Sequence, residues 1–310
     1  MTLLMLMLAA LLTGTATPWQ TAVNARIRLQ LNSALLASFV NCAVGVCLLL
    51  LLMLLRGESF YRDLNELSAL PWWYFISGPL GAAILLIALV ILPRLGLVGS
   101  TIATMSGMLL SGVLFDHFAL FHLAEHRFDL PRAAGLLLIF LGLMLTLQVH
   151  TYLKHYGSKV QKGAVLWFAL GLISGSCMTT QGAINSLFAQ ELHSMLYCAL
   201  FSMAVTALLC LALAACSGRG PATLKKLQFK GRLCEYSGGL MGVINICGNA
   251  LLMPLIGAGT LMTLIIAGQL LCSMLLDHFG VLGLKRRPVT LTRLAGLVII
   301  AAGICCIKLI

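Results

Sequence analysis

The chain has 310 residues, of which 60% are hydrophobic and 9% charged, with a formal net charge of +11 and a mean hydropathy of +1.02. A soluble domain carries about a quarter charged residues, so this composition excludes a water-soluble globular enzyme and leaves lipid as the solvent. The basic residues are scattered over short connectors between apolar runs, not gathered on one polar domain, which argues against a nucleic-acid partner.

A bilayer core of about 30 Å takes roughly 20 apolar residues per helix. Ten such runs follow one another, at about 2–24, 33–55, 71–92, 96–118, 132–152, 164–188, 195–216, 235–253, 257–278 and 292–308. Backbone groups in hydrocarbon must pair within their own segment, and continuous apolarity without alternation selects helices over a barrel. The first run, "MTLLMLMLAALLTGTATPWQ", lacks a basic leader and continues into "WQTAVNARI", so it reads as a membrane helix and not as a signal peptide. It carries Pro18, expected to kink the helix and free a carbonyl, and the amides Gln20 and Asn24, which share a face near one end.

After the second run and the connector "RGESFYRDLNEL", the third opens on "PWWYFISGPLG" (71–81). The fourth ends in Asp116-His117-Phe118, and "LAEHRFDLPR" leads into the fifth. The sixth carries "TTQGAIN" (179–185), with Gln181 and Asn185 again four apart. The eighth has Glu235 at its mouth and Asn245 and Asn249 on one face. The ninth has Gln269 well inside and ends in Asp277-His278-Phe279, followed by "GLKRRPVTLTR". Most of the eleven cysteines lie inside apolar runs with no C-x-x-C spacing, so they read as small packing residues and no metal site or cofactor is expected.

A shift of 161 residues superposes the landmarks in order. Gly14, Gln20 and Asn24 fall on Gly175, Gln181 and Asn185, and Gly78 and Gly81 on Gly239 and Gly242. Pro93 and Gly96 fall on Pro254 and Gly257, Asp116-His117-Phe118 on Asp277-His278-Phe279, and Arg132 and Gly135 on Arg293 and Gly296. Apolar matches arise by chance in such a composition; rare polar and glycine matches at one offset do not. The expected organisation is a tandem duplication, 1–155 and 156–310, within an all-α integral membrane protein of ten transmembrane helices. Five runs per copy is an odd number, so the second copy enters from the opposite side, giving two inverted-topology five-helix repeats. Counting Lys and Arg by alternate connectors puts fifteen on one side and five on the other. The positive-inside tendency makes the first side cytoplasmic and turns both termini outward.

The motifs quoted above, with "GQLLCSMLLDHFGVLGLKRRPVTLTRLAG" (268–296), resemble the YdcZ-type family of the drug/metabolite transporter superfamily, in its fused-duplicate form, over nearly the whole chain. The resemblance implies a transporter without naming a cargo. The first copy departs from the pattern in having Ala119 where the second has Gly280, Met108 where the second has Gln269, and no counterpart of "KRRP".

Two readings of the amides are open. Gln20, Asn24, Gln181, Asn185, Asn245, Asn249 and Gln269 line a solute pathway, or they tie helices together, each such bond being worth about 0.6–2 kcal/mol. Asn245 and Asn249 fall on Ile84 and Ala88 of the other copy, an asymmetry that packing alone does not require. Small multidrug resistance relatives carry a central Glu in their first helix, and here the first and sixth runs have no acid at depth. Glu235 is the best candidate for a buried one. The Asp116-His117 and Asp277-His278 pairs lie one membrane thickness into their helices, where the Asp is either a structural cap or part of a gate whose His titrates near neutrality. The expected function is secondary transport, in the export direction, of a small organic solute across the inner membrane, with one repeat rocking against the other. A channel-like pore and a non-transporting membrane subunit are the alternatives. The expected partners are the solute and the bilayer, and the chain is either a monomer or a homodimer.

Overall fold

The computed structural model describes residues 2–59, 64–123, 129–149, 163–218, 221–226, 236–281, 286 and 288–308. Their main helices are α1 (Leu3–Leu31), α2 (Ala34–Arg56), the short α3 (Leu64–Ser68), α4 (Ser77–His117), α5 (Leu130–Thr146), α6 (Ala164–Glu191), α7 (Met195–Cys216), α8 (Gly238–Ile256), α9 (Ala258–Phe279) and α10 (Leu291–Lys308). Among the described residues six helical segments are long and apolar enough to cross a membrane, and α5 and α10 are apolar but shorter.

The helix ends follow local chemistry. Ser33 and Ser194, 161 residues apart, cap α2 and α7 by accepting from the N–H groups of Leu36 and Tyr197. Asp129 caps α5 through the N–H of Arg132, with Pro131 in the first turn. Left-handed residues also recur at the repeat interval, with Asn32 matching His193, Gly57 matching Gly218, Gly96 matching Gly257 and Ala119 matching Gly280. The third and fourth runs form one helical stretch, Trp72–His117, broken only at Gly96, whose φ of 68° and ψ of 176° suit a residue without Cβ. Its copy, Gly257, separates α8 from α9.

Ala119 holds φ 48° where the second copy has Gly280 at φ 62°. A Cβ in that region costs about 1–2 kcal/mol. Ala119→Gly is therefore expected to raise the thermal unfolding midpoint in detergent, with a gain of about 1 kcal/mol after the extra freedom of glycine in the unfolded chain. A lowered midpoint would count against this backbone geometry.

One boundary difference bears on the candidate site. α1 continues to Leu31 instead of stopping near residue 24. Arg26 and Arg28 are good helix formers, and the stop comes only at left-handed Asn32 and the Ser33 cap. Gln20 consequently lies near the middle of α1, not near its end. The chain also remains helical through Pro18.

The chain forms two compact units, each drawing on both sequence copies. The first comprises Met1–Thr15, Leu86–Thr180 and Leu252–Ile310. In it α5 packs antiparallel on α10, its own copy. Gly135 lies opposite Gly303 and Ile307, and Gly142 lies opposite Gly296 and Ile300. α9 is buried on every side from Ala258 to Leu270. The second unit comprises Ala16–Leu85 and Gln181–Leu251. In it α2 packs on its copy α7, with Leu49, Met53, Leu196, Ala199 and Met203 in one apolar cluster. Phe188 meets Tyr74, Phe75, Tyr197 and Phe201 edge-on or tilted.

Candidate functional site

Within the second unit the later half of α1 and the first half of α8 meet along a seam of polar side chains. The indole Nε1 of Trp19 donates to the Ser237 hydroxyl at 2.7 Å. One turn further on α1, Asn24 accepts from the amide of Asn41 on α2, and Asn41 lies against Gly238. Gln20 lies against Gly242, where a Cβ would come within 2.9 Å of its Nε2, so the glycine leaves room for the amide. Next, Asn245 donates to the Thr17 hydroxyl at 3.1 Å, and Asn249 donates to the Asn245 carbonyl at 2.8 Å. The order of these rows, with Gln20 at Gly242 and Thr17 at Asn245, runs the two helices antiparallel.

The polar capacity of this seam is not used up. Among the described residues the Gln20 amide has no hydrogen-bond partner, and the Asn249 side-chain oxygen accepts no bond. Asn41 is 1% exposed and its Oδ1 also lacks a partner. A buried amide left unpaired costs about 1–3 kcal/mol, so groups of this kind call for an explanation.

The second copy of the seam, also in this unit, is built differently. Gln181 donates to the Ser77 carbonyl at 2.7 Å and reaches the Ser202 hydroxyl at 3.5 Å. Thr206 donates to the carbonyls of Gly78 and Ser202. Asn185 is 1% exposed and lies against the Cys198 thiol. The counterparts of Thr17 and Asn245 are the apolar Met178 and Ile84, so the row of amides and hydroxyls is not continued past Gln181 on that face. The structure thus brings Gln20, Asn24, Asn245 and Asn249 into one seam, and Gln181 and Asn185 into another. Gln269, 5% exposed on α9, belongs to the first unit. Glu235 lies outside the described residues.

Thr17, Trp19, Asn41 and Ser237 complete the first seam, and the sequence reading did not single them out. Asn41 carried a signal, as the sole amide in α2, and Thr17 another, one turn before Gln20.

In the first unit the two Asp-His pairs have diverged. Asp116, 1% exposed, accepts the N–H of Ala258 at 2.7 Å on one carboxylate oxygen and the N–H of Gly259 at 2.9 Å on the other. It caps the first turn of α9, beside the Gly257 joint. Asp277 instead pairs with Arg293 at 3.0 Å, with both side chains part-exposed. His278 accepts the Val289 N–H through Nδ1 at 3.4 Å, and Arg286 donates to its carbonyl. Both imidazoles stand edge-on to the following Phe. Among the described residues no group of His, Cys, Asp and Glu could hold a metal ion.

Comparisons with known proteins agree with this architecture. A protein-family model, DMT_YdcZ, described as "Putative inner membrane exporter, YdcZ", matches twice, at residues 5–145 and 166–306. The second match begins 161 residues after the first, the interval of the internal repeat. None of the curated proteins compared matches. Seven solved chains match. One, described only as "Crystal structure of protein", is 17% identical with a TM-score of 0.70, over 98% of this chain and 96% of that one. At that identity the likeness concerns the fold alone.

Proposed function

The chain belongs to the YdcZ family of inner-membrane exporters, of the drug/metabolite transporter type, and on that premise we propose that it exports a small organic solute by alternating access. The proposal includes ten membrane crossings in two inverted five-helix repeats, with both termini outward. The amides of the α1–α8 seam act as solute contacts, and the Asp277-His278 end of α9 acts in gating.

The observation that carries this reading is the α1–α8 seam, where the Gln20 amide stands open near the middle of a membrane-length helix while its copy Gln181 donates to Ser77 and Ser202. A Gln serving only as helix glue would be bonded in both copies. Inverted-repeat transporters place solute sites near the midplane, at discontinuous helices. Here α4 is broken at Gly96, and α8 and α9 are separated at Gly257. The antiparallel packing of α5 on its own copy α10 supports opposite sidedness of the repeats. Chains of this family are transporters, which sets them apart from enzymes.

Two measurements test this. Single cysteines at Arg56 and Ser217, exposed and one repeat interval apart, placed in an otherwise cysteine-free chain, should react with an impermeant maleimide from opposite sides of the membrane. Labelling from one side overturns the inversion. Purified protein in liposomes should give saturable counterflow of a labelled solute. A steady unitary conductance in planar bilayers without counterflow identifies a channel and overturns alternating access.

A further inference from the structure

Resting on the transport reading above, we propose that the α1–α8 seam of the second unit is a one-sided recognition site for a neutral solute rich in hydrogen-bonding groups, of the amide or polyol class. The chemistry of the seam sets the class. Thr17, Gln20, Asn24, Asn41, Asn245 and Asn249 do not ionise near neutral pH. An ion in hydrocarbon needs an opposite charge or a saturated shell of dipoles, because its desolvation otherwise exceeds anything a few amides return. A neutral polar solute needs the reverse: donors and acceptors that have no other partner. Gln20 offers two N–H donors and a carbonyl, Asn249 offers its side-chain oxygen, and the buried Asn41 Oδ1 is a further open acceptor.

The duplication supplies an internal control. Both copies place a Gln against a small residue, Gln20 at Gly242 and Gln181 at Gly81, with the same 2.9 Å spacing to a built Cβ. Gln181 spends its amide on Ser77 and Ser202. Gln20 spends its amide on nothing among the described residues, and one turn away Thr17 and Asn245 carry polarity onward where the other copy has Met178 and Ile84. One duplicated Gln has become a brace, and the other has been left open for a ligand.

The test uses the full chain in proteoliposomes, with counterflow of labelled mannitol, nicotinamide and uridine set against tetramethylammonium and benzoate. Variants are Gln20→Met and Asn249→Leu, with Gln181→Met measured for stability only. Neutral counterflow is expected, falling about tenfold or more in Gln20→Met and Asn249→Leu, as when a site loses a hydrogen bond to its ligand. The unfolding midpoint of Gln20→Met should stay at the parent value, because no internal bond is removed, whereas that of Gln181→Met should fall. Counterflow confined to tetramethylammonium or benzoate overturns the neutral class and leaves transport standing. Neutral counterflow indifferent to both seam variants overturns the site and likewise leaves transport standing. A midpoint that falls as far in Gln20→Met as in Gln181→Met makes Gln20 a brace and overturns the site. Folded protein that exchanges none of the probes overturns the transport reading, and this inference with it.

Discussion

Asp116→Asn is expected to destabilise the folded protein by about 2–4 kcal/mol, and Asp277→Asn by less than about 1 kcal/mol, although the two residues are copies of each other. Asp116 is buried and gives one oxygen each to two successive N–H groups that open α9. These are orphan donors of a helix start, and the carboxylate satisfies both while meeting the positive end of the helix dipole. An Asn in its place has one acceptor oxygen and turns an NH₂ toward the second N–H, so one donor loses its partner and another repels it. Asp277 meets Arg293 where both side chains are part-exposed, and water replaces much of what the substitution removes. Thermal unfolding in detergent, with the monodisperse fraction on gel filtration, measures both. Equal losses would mean that the cap at Ala258–Gly259 contributes little. Asp277→Asn that folds normally but shifts the pH dependence of flux supports the gate proposed for that end of α9.

Gly175→Ala is expected to cost about 1–3 kcal/mol or more and to reduce the yield of folded protein sharply. Its methyl group would fall on the Thr104 carbonyl and within 2.7 Å of the Met108 nitrogen, and both obstacles are backbone. No side chain can rotate aside, so α4 and α6 must separate along their length and lose dispersion contacts on both sides of the seam. In lipid those contacts are the main source of helix association, because lipid tails are as apolar as the side chains they would replace. Gly107 stands in the same relation to Leu172, and Gly14 and Gly268 repeat the arrangement against Ile265 and Leu11. Gly57→Ala is the comparison. Among the described residues nothing lies within 4 Å of where its Cβ would stand, and only its φ of 67° resists one, at about 1–2 kcal/mol. The same unfolding and gel-filtration measurements apply. A loss at Gly175 no greater than that at Gly57 would contradict the close approach of α4 to α6.

Much of the architecture is written in the sequence. The left-handed residues, the Ser caps and the chain breaks at Gly96 and Gly257 all recur at the interval found from polar and glycine landmarks. The differences were of reach. Arg26 and Arg28 read as connector residues because they are charged, yet Arg suits a helix, and the helix ends where Asn32 turns left-handed. That extension moves Gln20 from the end of a helix to its middle. For the candidate site the sequence supplied most of the names but not the grouping. Gln20 and Gln181 are indistinguishable in type and spacing, and so are Asp116 and Asp277.

Composition alone made this a membrane protein, because 60% hydrophobic and 9% charged residues cannot be solvated by water over so long a chain. The offset of its landmarks alone made it a tandem duplication, because rare residues rarely coincide by chance at one offset. Which duplicated polar groups are satisfied and which stand open was decided only by the tertiary structure. A side chain's hydrogen-bond partners come from helices distant in the chain: Ser77 and Ser202 reach Gln181, and Ala258 and Gly259 reach Asp116. Such pairings depend on how helices pack, and sequence spacing constrains only what lies within one helix.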